Sequence, residues 1–457
     1  MTSNGTGGKK IKFGTDGIRG VANLELTADV ALTVGRCVAH YMSVSKKGSA
    51  RRALVGKDTR VSGDMIETAL VAGITSVGVD AWRIGITPTP ALAHMTRALN
   101  CDCGIMISAS HNPVEDNGIK IFSADGYKLE DADEEAIEAL IQANGGGIKP
   151  APGAAVGRFV DKSKTAGTYV DYLRRLLRGV FLEGTIVVDC ACGAASRYAK
   201  RVFKDSAEEV VFINSDEDGL KINVDCGSTK PEIIAAKVRE TGAALGFAFD
   251  GDADRVLFVD ETGAVVDGDQ LMLLCARRMK AEGKLSGDTV VATVMSNMGF
   301  EAALKDIGAR MLRTPVGDKF VLREMLKGGY NIGGEQSGHI IFLDHATTGD
   351  GLLSAAQALR CACASKAPFS EQTAMKRSAQ FLKNVRVPDR DAFYQSKNIQ
   401  DKVAEVEKRL ADSGRVVVRP SGTEPLIRVM VETWDAASAE SFTDEIIDAV
   451  KSEFNIQ

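Results

Sequence analysis

The chain turns from apolar to polar within Ile105-Met106-Ile107-Ser108-Ala109-Ser110-His111-Asn112-Pro113. Residues 104–108 have the composition of a buried strand that ends here, and the small, polar and proline residues after it indicate a loop. Ser110 is therefore predicted to lie just past the carboxyl end of a strand, where open α/β sheets bind their ligands. A hydroxyl in that place can be phosphorylated or act as a nucleophile if a base and a charge stabiliser lie nearby. The same residues also suit an ordinary turn, so the assignment depends on the rest of the chain.

A second polar loop follows the apolar run at residues 245–249. It carries three aspartates at alternate positions, Asp250, Asp252 and Asp254, and ends at Arg255. Three oxygen donors on one tight loop suit a hard cation such as Mg²⁺. The opening resembles a calcium loop, but Arg255 stands where such a loop needs glycine. The alternative is a solvated acidic turn, which is disfavoured because uncompensated carboxylates this close repel each other.

The composition is that of an ordinary soluble globular chain. The 457 residues are 44% hydrophobic and 26% charged, and two to four domains are expected. The net charge of −5 gives no electrostatic reason to expect nucleic acid or an anionic membrane as a partner. No apolar run approaches the ~18 residues of a transmembrane helix, and the polar residues 1–10 lack the apolar centre of a signal peptide.

The nine cysteines include three Cys-x-Cys pairs but no Cys-x-x-Cys, and the chain has five histidines. This pattern disfavours a zinc site. Several of the cysteines lie in apolar runs. The sequence therefore predicts reduced, buried thiols in a cytoplasmic protein.

An apolar strand, a polar loop and a helix recur three times, and the C-terminal part differs in character. Periodicity is lost in the Gly-, Ala- and Pro-rich segment 144–157, which marks a first boundary. Thr27 and Ser62 are predicted to cap the first two helices. The predicted fold class is α/β, with three similar α/β domains of mixed sheets flanked by helices and a C-terminal α+β domain. The predicted domains are residues 1–155, 156–260, 261–372 and 373–457.

A third loop, residues 334–339, follows a predicted strand in the third domain. It contains Glu335, Ser337 and His339. A carboxylate accepts hydrogen bonds from a diol and a serine hydroxyl can donate or accept, so the loop suits neutral sugar hydroxyls. An ordinary polar turn is the alternative.

A fourth loop is Arg419-Pro420-Ser421-Gly422-Thr423-Glu424-Pro425, with Arg428 shortly after it. Two guanidiniums, two hydroxyls and a glycine that exposes its amide are the groups that bind a phosphate. A simple turn between strands is the alternative.

The four loops together indicate phosphoryl transfer on a phosphorylated polyol or sugar. We call them the serine loop (residues 108–113), the aspartate loop (250–255), the hydroxyl loop (334–339) and the arginine loop (419–425). The P-loop pattern Gly-x-x-x-x-Gly-Lys-Ser/Thr does not occur in the sequence, so a nucleotide bound in that way is not the expected donor.

The chain resembles the α-D-phosphohexomutase superfamily, and within it the bacterial phosphoglucosamine mutases. The resemblance is carried in family order by residues 13–20, 107–120, 250–255, 333–341 and 419–432, with the Thr314-Pro315-Val316-Gly317-Asp318 motif supporting the subfamily. Lys319-Phe320 stands where the subfamily is expected to have Arg-Tyr. That departure concerns substrate positioning rather than the chemistry.

The resemblance implies four domains around a central cleft and a role for each loop. Ser110 is the implied phosphoserine, and one of its phosphate oxygens joins the three aspartates around one Mg²⁺. Lys120 and His339 are both candidates for general acid or base, which the sequence leaves open. Arg255 steadies the phosphoryl group, and Arg19 offsets negative charge. The implied substrate-binding residues are Glu335, Ser337, His111, Arg419, Ser421, Gly422, Thr423 and Arg428.

The implied reaction interconverts glucosamine 6-phosphate and glucosamine 1-phosphate through a 1,6-bisphosphate, feeding UDP-N-acetylglucosamine synthesis. Ser110 must first be charged, either by autophosphorylation or by glucosamine or glucose 1,6-bisphosphate as the activator, and the sequence leaves the two open. Because one phosphate grip must accept either end of the sugar, the fourth domain is expected to move. The alternatives are a sibling mutase for mannose or glucose phosphates and a non-catalytic sugar-phosphate binding protein. A homodimer is one option for the assembly, which the sequence leaves open.

Overall fold

The computed structural model describes residues 11–14, 16–45, 51–389, 391–420, 425–454 and 456. The N-terminal residues 1–10, expected to be a polar tail, lie outside this range. The described chain forms four sheets, one for each predicted domain. None of its helices combines the length and apolar character needed to cross a membrane.

The first domain has a six-stranded mixed sheet in the order β1-β5-β4-β2-β3-β6. Strands β2, β3, β4 and β6 run parallel, whereas β1 and β5 are antiparallel to their neighbours. The strands are β1 (Ile18–Val21), β2 (Arg52–Lys57), β3 (Asp80–Ile86), β4 (Cys103–Ile107), β5 (Asp116–Ser123) and β6 (Phe159–Asp161). The helices are α1 (Ala28–Ala39), α2 (Gly63–Thr75), α3 (Thr89–Ala98) and α4 (Asp131–Gln142). Strand β6 belongs to this sheet although it follows residue 155.

Helices α1 and α2 show which capping predictions hold. Thr27 caps α1, its side chain accepting from the amide of Val30 at 3.3 Å. Ser62 is at the N-cap position of α2, as predicted, but its hydroxyl makes no capping hydrogen bond and instead accepts from Asn117 Nδ2 at 2.9 Å. The two helices pack at backbone distance, since a Cβ on Gly35 would lie 2.4 Å from the Leu70 carbonyl oxygen.

The second domain has a five-stranded sheet in the order β11-β10-β9-β7-β8. Its strands are β7 (Leu182–Asp189), β8 (Ala207–Ile213), β9 (Leu245–Phe249), β10 (Val256–Asp260) and β11 (Val265–Val266). Its helices are α5 (Gly167–Leu176), α6 (Ala195–Phe203) and α7 (Pro231–Thr241). The aspartate loop is the turn between antiparallel β9 and β10.

The third domain has a four-stranded sheet in the order β13-β12-β14-β15. Its helices are α8 (Gly268–Ala281), α9 (Met298–Asp306), α10 (Asp318–Gly328), α11 (Gly351–Ala362) and α12 (Phe369–Gln372). Its strands are β12 (Thr289–Thr293), β13 (Arg310–Thr314), β14 (Ile332–Gly334) and β15 (Ile340–Phe342). The hydroxyl loop connects β14 to β15.

The fourth domain is a three-stranded antiparallel sheet covered by two helices. The strands are β16 (Ala379–Arg386), β17 (Gly414–Pro420) and β18 (Leu426–Thr433), and the helices are α13 (Lys397–Leu410) and α14 (Ala436–Glu453). One apolar core cluster spans the first three domains, whereas the fourth domain has a core of its own. The fourth domain is thus the part that is packed most independently.

Candidate active site

Three of the four loops follow carboxyl ends of strands inside their sheets. The serine loop follows β4, the aspartate loop follows β9 and the hydroxyl loop follows β14. Direct contacts then join residues that are far apart in sequence, beginning with Ser110 Oγ, which donates to Asp250 Oδ2 at 2.6 Å. Ser110 and the three aspartates therefore lie in one site. This contact brings charged partners to the serine, on which its predicted role depends.

Ser110 is held in an uncommon conformation. Its φ of 53° lies in the left-handed region, which costs a non-glycine residue roughly 1–3 kcal/mol. Its amide donates to Ser108 Oγ at 2.9 Å, and the residue is 1% exposed. A Cβ on Gly251 would lie 2.6 Å from the Ser110 carbonyl oxygen, so this position in the aspartate loop has room for glycine alone.

The three aspartates can hold a cation. One carboxylate oxygen from each of Asp250, Asp252 and Asp254 lies within 4.8 Å of the others, and all three residues are buried. Among the described residues, Asp252 Oδ1 and Asp254 Oδ1 have no hydrogen-bond partner. Burial and the two neighbouring carboxylates raise the pKa of Asp250 well above its usual range. Buried carboxylate oxygens that lack donors and repel each other fit a hard divalent ion such as Mg²⁺.

Lys120 lies behind the aspartates. Its Nζ contacts Asp252 Oδ2 at 2.7 Å, Asp254 Oδ2 at 3.3 Å and Asp16 Oδ2 at 2.9 Å. Burial lowers the pKa of Lys120, but the three carboxylates outweigh it and the pKa stands well above the usual value. The lysine thus contacts the carboxylates beside the serine loop and is protonated at neutral pH in this arrangement.

His339 lies beside the same oxygen of Asp254 that Lys120 contacts. Its Nδ1 is 3.7 Å from Asp254 Oδ2, and its Nε2 is 3.5 Å from Asp318 Oδ2. Burial lowers the pKa of His339, but these two carboxylates raise it above the ordinary value. Both candidates for acid or base therefore contact the aspartate triad.

The two predicted arginines lie near His111, which contacts Ser110. Arg255 Nε lies 3.9 Å from Asp254 Oδ1. Arg19 donates to Asp16 Oδ2 at 2.6 Å and to the side chain of Asn112 at 3.1 Å. His111 Nδ1 lies 3.3 Å from Ser110 Oγ. Burial and the nearby arginines lower the pKa of His111 to about 4, so this histidine is neutral at neutral pH.

The hydroxyl loop is fixed by its own hydrogen bonds. Glu335 Oε1 accepts from the amide of Gly317 at 3.1 Å, and Ser337 Oγ donates to Glu335 Oε2 at 3.4 Å. Both side chains are partly exposed. They can therefore exchange part of these bonds for bonds to a ligand.

The arginine loop presents two like charges side by side. Arg419 of β17 and Arg428 of β18 are direct partners across the antiparallel pair. Burial and the facing Arg428 lower the pKa of Arg419. Like charges directly opposite each other are destabilising, and an anion between them would relieve the repulsion. The predicted Ser421, Gly422 and Thr423 lie outside the described residues.

The structure also places at this site several residues that belong to none of the four loops. Lys128 contacts both Asp16 and Asp318, each at 2.5 Å. Arg60 and Asn223 donate to carbonyls of the serine loop. For Arg60, its position along the chain could have indicated a place in the site, because it follows the carboxyl end of β2 just as the serine loop follows that of β4.

Lys319, the departure from the expected Arg-Tyr pair, points across a domain boundary. Its Nζ contacts Asp131 of the first domain at 3.1 Å. Arg323 on the same helix contacts Asp131 at 3.2 Å. This lysine therefore takes part in a bridge between the first and third domains.

Each of the four domains matches a domain model of the same enzyme family. The matches are Phosphoglucomutase/phosphomannomutase, alpha/beta/alpha domain I over residues 10–146, domain II over 168–263, domain III over 267–378 and the C-terminal domain over 382–449. The chain belongs to the phosphoglucomutase/phosphomannomutase family. Membership confirms both the resemblance and the fold class predicted from the sequence.

Similarity to curated members of this family indicates which activity within the family the chain has. Phosphoglucosamine mutase from Geobacillus thermodenitrificans is 46% identical over 446 residues, covering 97% of this chain and 99% of the relative. Phosphoglucosamine mutase from Bacillus subtilis is 45% identical over 446 residues, with the same shares covered. This member of the family is therefore an isomerase of the phosphoglucosamine mutase type, as predicted.

Solved structures of the family agree with the fold. A phosphoglucomutase/phosphomannomutase family protein from Burkholderia thailandensis superposes with a TM-score of 0.81 at 25% identity, covering 96% of this chain and 97% of that one. N-acetylphosphoglucosamine mutase from Aspergillus fumigatus, solved in complex with GlcNAc-6P and magnesium, has a TM-score of 0.69 at 19% identity, with 98% and 96% covered. At this level of identity, the similarity to the Aspergillus fumigatus enzyme concerns the fold alone.

Proposed function

We propose that the chain interconverts glucosamine 6-phosphate and glucosamine 1-phosphate through phosphorylated Ser110 and a 1,6-bisphosphate intermediate. The single observation that carries this mechanism is the 2.6 Å hydrogen bond from Ser110 Oγ to Asp250 Oδ2, which joins residues 140 positions apart. It places the hydroxyl of a serine loop against a buried triad of carboxylates. The amino-sugar substrate is supported by the names of the curated relatives.

In the first transfer, phosphorylated Ser110 gives its phosphoryl group to the free hydroxyl of the sugar phosphate. The bond from Ser110 Oγ to phosphorus breaks and a bond from the sugar oxygen to phosphorus forms. The proton of that hydroxyl must pass to a base in its neutral form, and Lys120 and His339 are the two candidates. The transition state of phosphoryl transfer carries spread negative charge, and Arg255 and Arg19 lie where they can offset it.

In the second transfer, the bisphosphate presents its other phosphate to Ser110. That phosphoryl group returns to Ser110 Oγ, and the sugar oxygen it leaves takes back a proton. Glu335 and Ser337 bind sugar hydroxyls in either orientation, and Arg419 and Arg428 bind the phosphate that is not reacting, together with Ser421, Gly422 and Thr423. His111 contacts the substrate beside Ser110. Holding the reactants in line supplies much of the rate gain.

Two further ligands complete the proposal. One Mg²⁺ would be held by Asp250, Asp252, Asp254 and a phosphoserine oxygen, and when bound it would neutralise charge on the transferring phosphoryl group. Glucosamine or glucose 1,6-bisphosphate would charge an unphosphorylated Ser110. A reducing compartment such as the cytoplasm suits this reaction, since the nine cysteines all lie among the described residues as free thiols.

The test is intact mass spectrometry of the purified protein, combined with a coupled assay for glucosamine 1-phosphate. After treatment with the bisphosphate, the mass of the wild type should increase by one phosphoryl group. Ser110→Ala should show no such increase and no activity. Ser123→Ala, at the end of β5 in the same domain, should keep both. Activity that survives in Ser110→Ala would overturn the mechanism.

A further inference from the structure

We infer that Arg60 is a positioning residue whose guanidinium fixes the backbone of the serine loop so that the Ser110 hydroxyl faces the aspartate loop. The inference rests on the proposed function, because it concerns the serine which that function phosphorylates. Arg60 follows β2, and β2 is the parallel neighbour of β4. Parallel neighbours end at the same edge of a sheet, which brings Arg60 under the loop that follows β4.

The guanidinium of Arg60 reaches three carbonyls of the serine loop. Nη2 donates to the carbonyl of Ser110 at 3.1 Å and to that of Asn112 at 2.8 Å, and Nη1 donates to that of Pro113. Arg60 is 2% exposed, so water does not compete for these bonds. A rigid planar fork that holds three backbone acceptors fixes the curvature of the loop, which a single ammonium cannot do.

Asp58 extends this hold to the amide side of the serine. Asp58 Oδ2 accepts from Arg60 Nε at 3.1 Å and from Ser108 Oγ at 2.7 Å. Ser108 Oγ in turn accepts from the Ser110 amide at 2.9 Å. The amide and the carbonyl of Ser110 are thus both tied to one buried pair. Because Asp58 balances the charge of Arg60, the pair acts on geometry rather than on the charge of the phosphoryl group.

The conformation of Ser110 explains why such a hold is needed. The left-handed φ of 53° is unfavourable for serine, so a loop without restraints would leave it. A second restraint comes from the second domain, where Asn223 Nδ2 donates to the Ser110 carbonyl at 2.9 Å and to the Asn112 carbonyl at 3.3 Å. Arg60 and Asn223 therefore grip the same carbonyls from two domains.

The test compares Arg60→Lys with the wild type after both are charged with glucose 1,6-bisphosphate. Lysine keeps the positive charge beside Asp58 but cannot hold three carbonyls. The expected result is a fall in kcat of about 100-fold with KM changed by less than about twofold, because the sugar and phosphate contacts are untouched. Arg83→Lys is the matched control, since Arg83 lies in the same domain and pairs with Glu67 at 3.0 Å, and its kcat should be unchanged.

Two further variants keep the inference testable if Arg60→Lys folds poorly. In Arg60→Ala, millimolar guanidinium chloride should restore part of kcat, whereas sodium chloride at equal ionic strength should not. Asn223→Ala should lower kcat by about tenfold at unchanged KM. The thermal midpoint of each variant should lie close to that of the wild type, so that a loss of kcat does not reflect unfolding.

The outcomes separate this inference from the proposed function. A wild type that never carries phosphate on Ser110 would overturn the proposed function and this inference with it. A phosphorylated, active wild type together with Arg60→Lys and Asn223→Ala of unchanged kcat would overturn this inference alone. A rise in KM without a loss of kcat, or a folded Arg60→Ala that guanidinium does not rescue, would also overturn it.

Discussion

Lys128 of the first domain and Asp318 of the third form an ion pair at 2.5 Å, with each side chain 15% exposed. The same oxygen of Asp318 lies 3.5 Å from His339 Nε2. The carboxylate of Asp318, which joins the two domains, therefore also lies beside a candidate acid or base and helps to raise its pKa. The bridge formed by Asp131 with Lys319 and Arg323 crosses the same boundary but is more exposed.

These two bridges should respond differently to mutation. Asp318→Asn should lower turnover by about 10- to 100-fold, because it removes a carboxylate that raises the pKa of His339 and breaks the sheltered ion pair with Lys128. Asp131→Asn, the matched control, should change the free energy of unfolding by less than about 1 kcal/mol and leave turnover unchanged. Steady-state kinetics and urea denaturation of both variants measure this. Equal losses in turnover would contradict the assignment.

Asp252→Asn should weaken magnesium binding and turnover together. Asp252 Oδ1 has no partner among the described residues, and Oδ2 already accepts from Lys120 at 2.7 Å. An amide at this position removes one negative charge from the triad, and we expect both Mg²⁺ affinity and kcat to fall by about 100-fold. Calorimetric Mg²⁺ titration and the coupled assay measure the two. Asp205→Asn, at an exposed site, is the control, and unchanged turnover in Asp252→Asn would exclude a role as ligand.

Arg428→Ala should raise KM for the sugar phosphate. Arg419 and Arg428 face each other across β17 and β18, and a charge-assisted hydrogen bond contributes about 1.5–3 kcal/mol. Loss of one arginine should therefore raise KM by about 10- to 100-fold. Arg386→Ala, an exposed arginine on the adjacent strand β16, should leave KM unchanged. A KM in Arg428→Ala equal to that of the wild type would rule out the phosphate grip.

Asp269 should make stability depend on pH. Burial and neighbouring Asp267 raise the pKa of Asp269 from 3.8 to about 7. Between these values the folded protein holds a proton that the unfolded chain does not, so the free energy of unfolding falls as the pH rises toward 7. Above pH 7 the free energy of unfolding is lower than at acidic pH by at most about 4 kcal/mol because of this group.

Asp269→Asn removes this titration and keeps an acceptor for the Asn297 amide, which donates to Asp269 Oδ2 at 2.8 Å. Its stability relative to the wild type should therefore be greater at pH 8 than at pH 5. Urea denaturation at the two pH values measures the difference, with the exposed Asp306→Asn as control. A difference that is the same at both pH values would show that Asp269 does not titrate in this window.

The fourth domain should move when the bisphosphate binds. Its separate core allows it to rotate as a unit, and hydrogen bonds join it to segment 294–298 of the third domain. Arg415 donates to the carbonyls of Val294 at 2.6 Å and Ser296 at 2.7 Å, and Glu432 accepts from the Met298 amide at 2.6 Å. Small-angle scattering should show a smaller radius of gyration with the bisphosphate than without it. Identical profiles would count against the movement.

Local pattern in the sequence predicted the elements that carry the site. The serine, aspartate and hydroxyl loops could be placed because each follows a strongly apolar strand. Strand β3 and helix α3 were not predicted, because Asp80 and Arg83 interrupt the apolar character of β3 and α3 is short and begins with Thr-Pro. Strand β6 could not be assigned to the first sheet, since only its pairing with β3 shows where it belongs.

The parts of the site that the sequence did not reveal are those that depend on which strands are neighbours. Arg60 lies under the serine loop because β2 adjoins β4, and Lys128 meets Asp318 across 190 residues. The failed cap at Ser62 has the same origin, since Asn117 from β5 binds its hydroxyl. Neither sheet order nor such distant partners can be read from local composition.

The Ser110 conformation has a consequence for how the protein is made. The partners of the serine include Asn223 and Asp250, which a ribosome adds more than one hundred residues later. Domains emerge and fold from the N-terminus onward, so the first domain leaves the ribosome with the proposed nucleophile and with Arg60, but without the contacts that Asn223 and Asp250 make to the serine. Competence for chemistry is thus acquired when the second domain docks, and a chain released early carries the serine without the means to use it.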